Sequence, residues 1–166
     1  MARDGAAFIK EGRIRAIGVT SFPDDRLLDL FLHNEVKPAV NQVETNPWCQ
    51  MKETGAFLAK EGIAHEAWAP FAEGHDGLFT NPVLVKIAEK HDRTVGQVVL
   101  RWLHQDETVI RSFRSPFISS RMIEYISDLD FELDAPEHEG GSRNSIPAAA
   151  ASTTIGRLRT SATSAR

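Results

Sequence analysis

The 166-residue chain has a single cysteine, and that scarcity removes two classes at once. Cys49 has no second thiol to pair with in the chain and cannot nucleate a cysteine-type zinc site, so a disulfide-stapled secreted scaffold and a zinc ribbon are excluded. A reducing cytoplasm is the expected compartment. Long apolar runs are missing too: nothing approaches the roughly 18 residues that a bilayer-spanning helix needs, and the residues after Arg3 lack the apolar core of a signal peptide. Insertion into a membrane is not expected. Nor is charge of one sign in excess, since 19 Lys and Arg against 23 Asp and Glu leave a net charge of -4 and a pI near 5.9. Such a balance gives no bulk field to gather nucleic acid. Arg157, Arg159 and Arg166 make the end of the chain basic, which reads as a tail and not as a binding domain.

Several signatures of chemistry are also absent. There is no G-x-S-x-G elbow, no G-x-x-x-x-G-K-[ST] loop and no G-x-G-x-x-G turn, which removes the α/β-hydrolase, P-loop and Rossmann readings. The histidines at 33, 65, 75, 91, 104 and 138 include no pair at i, i+4 with a glutamate between them, so no metal site is expected. Asp24 and Asp25 look like a carboxylate pair, but they follow Pro23 at the start of a helical pattern, where acids favour the positive end of the helix dipole. Cys49 has no histidine close in sequence to activate it and reads as an incidental thiol.

What is present is the pattern of an α/β domain. Short β-branched runs alternate with helical patterns through residue 136, in the order βαβαβααβα. The strand candidates are Ile14 to Val19, Pro38 to Glu44, Ala64 to Trp68 and Thr108 to Ile110. Helical patterns follow Pro23, run from Gln50 to Lys60 before Gly62, begin again at Pro82 and after Asp92, and end with Arg121 to Leu129. The predicted buried stripes are Leu27, Leu30, Phe31 and Asn34; Val83, Leu84, Ile87 and Ala88; Val95, Val98, Val99, Trp102 and Leu103; and Met122, Ile126 and Leu129. From Glu137 onward Gly, Ala, Ser, Thr and Arg dominate, with Ile146, Ile155 and Leu158 as the larger aliphatics. Burial of so few side chains cannot offset about 1 to 2 kcal/mol of backbone entropy per residue, so residues 137–166 are expected to be a mostly disordered low-complexity tail.

Four stretches carry a resemblance to a known family. Gly12 to Phe22 (G-R-I-R-A-I-G-V-T-S-F), Pro38 to Pro47 (P-A-V-N-Q-V-E-T-N-P), Ala67 to Phe71 (A-W-A-P-F) and Gln97 to Trp102 (Q-V-V-L-R-W) occur in one order along the chain. This sequence resembles the aldo-keto reductases over about residues 7–133, and is similar to bacterial members related to diketogluconate reductases. The resemblance implies an eight-stranded (β/α) TIM barrel, a fold of typically about 250 residues. It implies further that this chain supplies the C-terminal half, strands five to eight, as a half-barrel over residues 1–136.

The activity implied is NAD(P)H-dependent reduction of a carbonyl to an alcohol, with a small carbonyl compound as substrate and NADPH as cofactor. The implied cofactor residues are Thr20 and Ser21, in place of a Ser-Asn pair that holds the nicotinamide carboxamide, then Gln42 beside them and Trp68 stacked on the nicotinamide ring. Arg121 and Glu124 match an Arg and a Glu on the adenosine-phosphate side, although the preceding stretch, Arg111 to Pro116, is longer than the family's and lacks its Pro-Lys-Ser. The family's catalytic Asp, Tyr, Lys and His belong to the first four strands and have no matching positions here; Tyr125 lies far from any of them. The chain alone is therefore expected to be inactive. The alternatives are a nucleotide-binding or self-associating half-barrel completed by another chain, or a nonfunctional fragment.

Overall fold

The computed structural model describes residues 2–110, 123–125, 127 and 129–140. Four strands form one parallel sheet: β1 (Gly18–Thr20), β2 (Val40–Glu44), β3 (Ala64–Trp68) and β4 (Val109–Ile110). Each strand neighbours the next in sequence, with Gly18 opposite Val40, Gln42 opposite Glu66, and Ala67 opposite Ile110. Helices make the crossovers: α1 (Ala2–Lys10) precedes β1, α2 (Asp24–His33) and α3 (Lys52–Glu61) join the first three strands, and α4 (Pro82–His91) and α5 (Val95–Gln105) lead into β4. Sequential order without reversal is the winding of a β/α barrel wall, whereas a doubly wound sheet changes direction partway.

Local chemistry sets the helix ends. Asn81 caps α4 by accepting from the Val83 and Leu84 N–H groups at 2.9 and 3.3 Å, and Pro82 fits the first helical position. Thr94 and Gln97 form a reciprocal capping box on α5. Gly62 closes α3 with φ of 69°, a left-handed conformation that glycine adopts without steric cost.

All the central packing lies on one face of the sheet. Alternation along β2 sends Asn41 and Val43 under the helices and leaves Val40, Gln42 and Glu44 on the opposite face. In β3, Ala67 is fully buried under the helices, while Glu66 and Trp68 take the opposite face and are half-buried. The larger core gathers Ala67, Leu84, Ile87, Val98, Val99 and Leu103, and a smaller one holds Leu27, Leu58 and Ile63. On the far face the strands approach closely at Gly18, where a Cβ would meet Val40 Cγ1 at 2.4 Å.

Several boundaries differ from the sequence reading. The first strand pairs only over Gly18–Thr20, because residues 14–17 have no run of ladder partners; a single bond, Ala39 N–H to Ile17 O at 2.8 Å, precedes the ladder. Helix α1 is an addition, and Gly5 within it packs against Ile17. Leu129, expected on a buried helix face, is 62% exposed and lies in a bend. Met122 and Ile126 lie outside the described residues, as do 141–166 of the expected tail.

A further helix, α6 (Ala135–Gly140), crosses the boundary drawn at 136. Residues 129–140 form a strap over α4 and α5. Glu137 accepts from Lys90 Nζ at 2.6 Å and pairs with His91 at 2.9 Å, Arg93 pairs with Asp130, and His138 lies 3.3 Å from Asp106. Gln105 meets the Leu133 backbone on both sides, donating to its carbonyl at 3.0 Å and accepting from its N–H at 2.8 Å.

Candidate functional site

The face of the sheet that the described helices leave uncovered carries a polar row at the strand ends. Thr20, Gln42 and Glu66 are register partners across β1, β2 and β3, so their side chains share this face, and Trp68 follows two residues beyond Glu66 on the same side. The row is tied together by hydrogen bonds. The Gln42 carbonyl accepts from the Ser21 N–H at 2.7 Å and from the Thr20 hydroxyl at 3.2 Å, and Gln42 Nε2 donates to Glu66 Oε1.

Two buried asparagines hold the loops that carry these groups. Asn41, on the helix side of β2, donates to the Phe22 carbonyl at 2.9 Å and accepts from the Phe22 N–H at 3.4 Å, which fixes the loop after Thr20 and Ser21. Ser21 itself stands at φ of 55°, a left-handed conformation that costs a serine more than the asparagine or glycine usually found there. Asn46 accepts from the Trp48 and Cys49 N–H groups, both at 3.0 Å, and donates to the Ala69 carbonyl at 3.2 Å. It thereby joins the loop after β2 to the turn after Trp68. Behind the sheet, the Thr45 hydroxyl lies 2.8 Å from His65 Nε2; burial pushes that imidazole below its usual range, while Asp106 pulls the other way.

The structure brings four of the six expected cofactor residues together: Thr20, Ser21, Gln42 and Trp68. Glu124 occupies a different position. Its Oε1 accepts from the Thr94 hydroxyl at 2.7 Å and its backbone carbonyl accepts from Gln97 at 3.1 Å, so it docks its segment on the capped start of α5. Arg121 and the stretch Arg111 to Pro116 lie outside the described residues. Tyr125 packs against Phe71 with ring centroids 5.5 Å apart. An open cleft of about 430 Å³ adjoins the row, lined by Thr20, Ser21, Arg26, Asp29 and His33 among others, but it does not reach Gln42 or Trp68.

Sequence reasoning missed Glu66, and a signal for it existed. A carboxylate two residues before Trp68 in an alternating strand must share that residue's face, opposite the helix-packed one. Among the described residues no group of three or more His, Cys, Asp or Glu side chains could hold a metal ion, and no helix is long and apolar enough to cross a membrane. The assembled chemistry is that of a hydroxyl, an amide, a carboxylate and an aromatic face.

Residues 6–140 match the aldo/keto reductase family profile. The chain belongs to the aldo/keto reductase family. It is 43% identical over 126 residues to glyoxal reductase of Bacillus subtilis strain 168, an alignment that covers 75% of this chain and 44% of that protein. A crystal structure of an aldo/keto reductase from Brucella melitensis superposes with a TM-score of 0.76 at 32% identity, covering 84% of this chain and 52% of the other. Gox0644, in a crystal structure of a mutant in complex with NADPH, gives a TM-score of 0.78 at 29% identity, covering 93% of this chain and 57% of that one. The chain thus spans about half the length of the family members it matches.

Proposed function

We propose that this chain is the cofactor-holding half of an NADPH-dependent carbonyl reductase, equivalent to barrel strands five to eight. The single observation that carries the reading is the row of Thr20, Gln42 and Trp68 at the strand ends on the bare face of the sheet. Relatives in the family support it, since solved neighbours were crystallised with NADP or NADPH. The residues fit the group. Gln42 Oε1 has no donor bonded to it among the described residues, so an acceptor is available to a carboxamide, and Trp68, opposite Glu44 on the same face, is half-buried with ring surface to offer.

When bound, the cofactor would supply hydride for reduction of a carbonyl to an alcohol. Within this chain Thr20 and Gln42 would orient the carboxamide, Ser21 would hold the loop beside it, and Trp68 would pack on the ring. Arg121 is assigned to the ribose phosphate, where a guanidinium can make two parallel bonds. Glu124, with one oxygen on Thr94, would act by holding the segment that follows Arg121 against α5. The acid and base of the reaction are assigned to residues outside this chain, because a developing alkoxide needs a proton and stabilisation in the same step and the family's catalytic Asp, Tyr, Lys and His have no matching positions here. The substrate class is a small aldehyde or ketone, and the cytoplasm is the proposed compartment.

Titration with NADPH and NADH tests the assignment. Trp68→Ala should weaken both nucleotides alike, whereas Arg121→Ala should weaken NADPH chiefly, by roughly tenfold or more, the range of a charged hydrogen bond. Equal losses for both nucleotides in Arg121→Ala would remove that residue from the phosphate. A second reading, a half-barrel that closes against another chain or a second copy, is favoured by one observation: among the described residues, β1 and β4 each have one neighbour in the sheet.

A further inference from the structure

The Gln42 amide is oriented by its neighbour. A carboxylate has lone pairs and no hydrogen to give, so the group that Gln42 turns toward Glu66 must be its NH₂. The reverse orientation would set two oxygens against each other. The choice between amide nitrogen and oxygen is therefore fixed by chemistry at this position, whereas elsewhere it rests on weaker cues. Rotation of the rest of the residue is restricted as well. The Gln42 carbonyl is held by both Ser21 and Thr20, and β2 and β3 each pair on both sides. What remains to the row is the Gln42 Oε1 atom, an acceptor only.

We infer that Glu66 is a positioning residue that makes the row selective for a ring bearing an amide N–H donor, through its bond to Gln42. The inference rests on the nicotinamide reading above and deepens it: Glu66 acts through Gln42 and needs no contact with the ligand. A nicotinamide carboxamide carries both an acceptor and an NH₂ donor, and it can turn its donor to Gln42. A ring that carries a methyl ketone in place of the amide has no hydrogen to offer, and its oxygen would face the Gln42 oxygen. Sites built around a particular donor discriminate strongly against analogues that lack it, since a buried polar group is then left without a partner.

The test is equilibrium binding of the full chain to NADPH and to its reduced 3-acetylpyridine analogue, which differ only in this group. The wild-type chain should favour NADPH by about tenfold, the ratio expected for one hydrogen bond. Glu66→Gln keeps the shape but has both a donor and an acceptor, so it lets the Gln42 amide turn over, and the preference should fall to near unity while the analogue is retained. A wild-type ratio near unity overturns the inference without recourse to any variant. A ratio that stays the same in Glu66→Gln, with both ligands weakened together, also overturns it, because Glu66 would then be supporting the strand only. In either case the cofactor reading stands. If the wild-type chain binds neither nucleotide, the cofactor reading fails and this inference fails with it.

Discussion

Asn46 has no exposed surface and uses both ends of its amide. Its oxygen accepts two backbone N–H groups of the loop after β2, and its nitrogen bonds the Ala69 carbonyl and lies 3.3 Å from Glu44 Oε1. Truncation to alanine strands buried groups on both sides, and each such group costs about 1 to 3 kcal/mol. Asn46→Ala should therefore destabilise the chain by roughly 3 kcal/mol in urea denaturation, and Asn46→Asp should rescue little, since it cannot donate to Ala69 and places a second charge beside Glu44. A loss below about 1 kcal/mol for the alanine variant would show that the loops hold without this tie. That Thr20, Gln42 and Trp68 stand near one another at the strand ends was legible in the sequence, because each belongs to a strand segment with a fixed local pattern. Asn41, Asn46 and Glu66 were not, because the partners of an amide or a carboxylate are set by which distant loop returns to meet it. Glu124 illustrates the same point: its place against Thr94 follows from how its segment folds onto α5, and chain spacing alone does not reveal that.

Among the elements, the central strands β2 and β3 agree with the sequence reading to within two residues at either end. The edge strands shortened or shifted, and among the described residues they pair on one side only. Helices α4, which opens at Pro82, and α5, whose apolar stripe follows Asp92, were legible in the sequence; the Asn81 cap and the Thr94–Gln97 capping box that hold their starts emerged from the structure. Helix α1 lacked such a signal, as its Gly5 weakens a helical pattern. The strap that ends in α6 should depend on pH. Burial acts to raise the Glu137 carboxyl, but bonds from Lys90, His91 and the Asp134 backbone outweigh it and hold the group at about 2, against an ordinary 4.5. A carboxyl depressed in the folded state adds stability that is complete above its unfolded value and is lost as pH falls toward the folded one. The chain should accordingly lose stability between about pH 5 and pH 2, and Glu137→Gln should flatten that part of the profile while being less stable at neutral pH. Parallel acid profiles for the two proteins would show that Glu137 contributes nothing to the dependence.

At the scale of the molecule, the described residues form a sheet with helices on one face and none on the other, which leaves two edges and a half-exposed wall among them. Val109 on β4 is 48% exposed, and β1 ends in the polar row. Unpaired strand edges recruit other strands. In sedimentation velocity the full chain should associate in a concentration-dependent manner, and a sharp thermal transition in a strictly monomeric sample would show that the exposed wall needs no cover. A last consequence follows from Gln105, whose side chain brackets Leu133 as a neighbouring strand would. Leu133 lies in no strand or helix, yet its N–H is bonded and the residue is only 5% exposed. In native-state hydrogen exchange this one amide is thus a reporter for the strap, and its protection measures the free energy of local opening. If it exchanges at the rate of the α5 core amides, the strap lets go only when the whole molecule unfolds; if it exchanges faster, residues 129–140 form a separate cooperative unit that peels from α4 and α5 first.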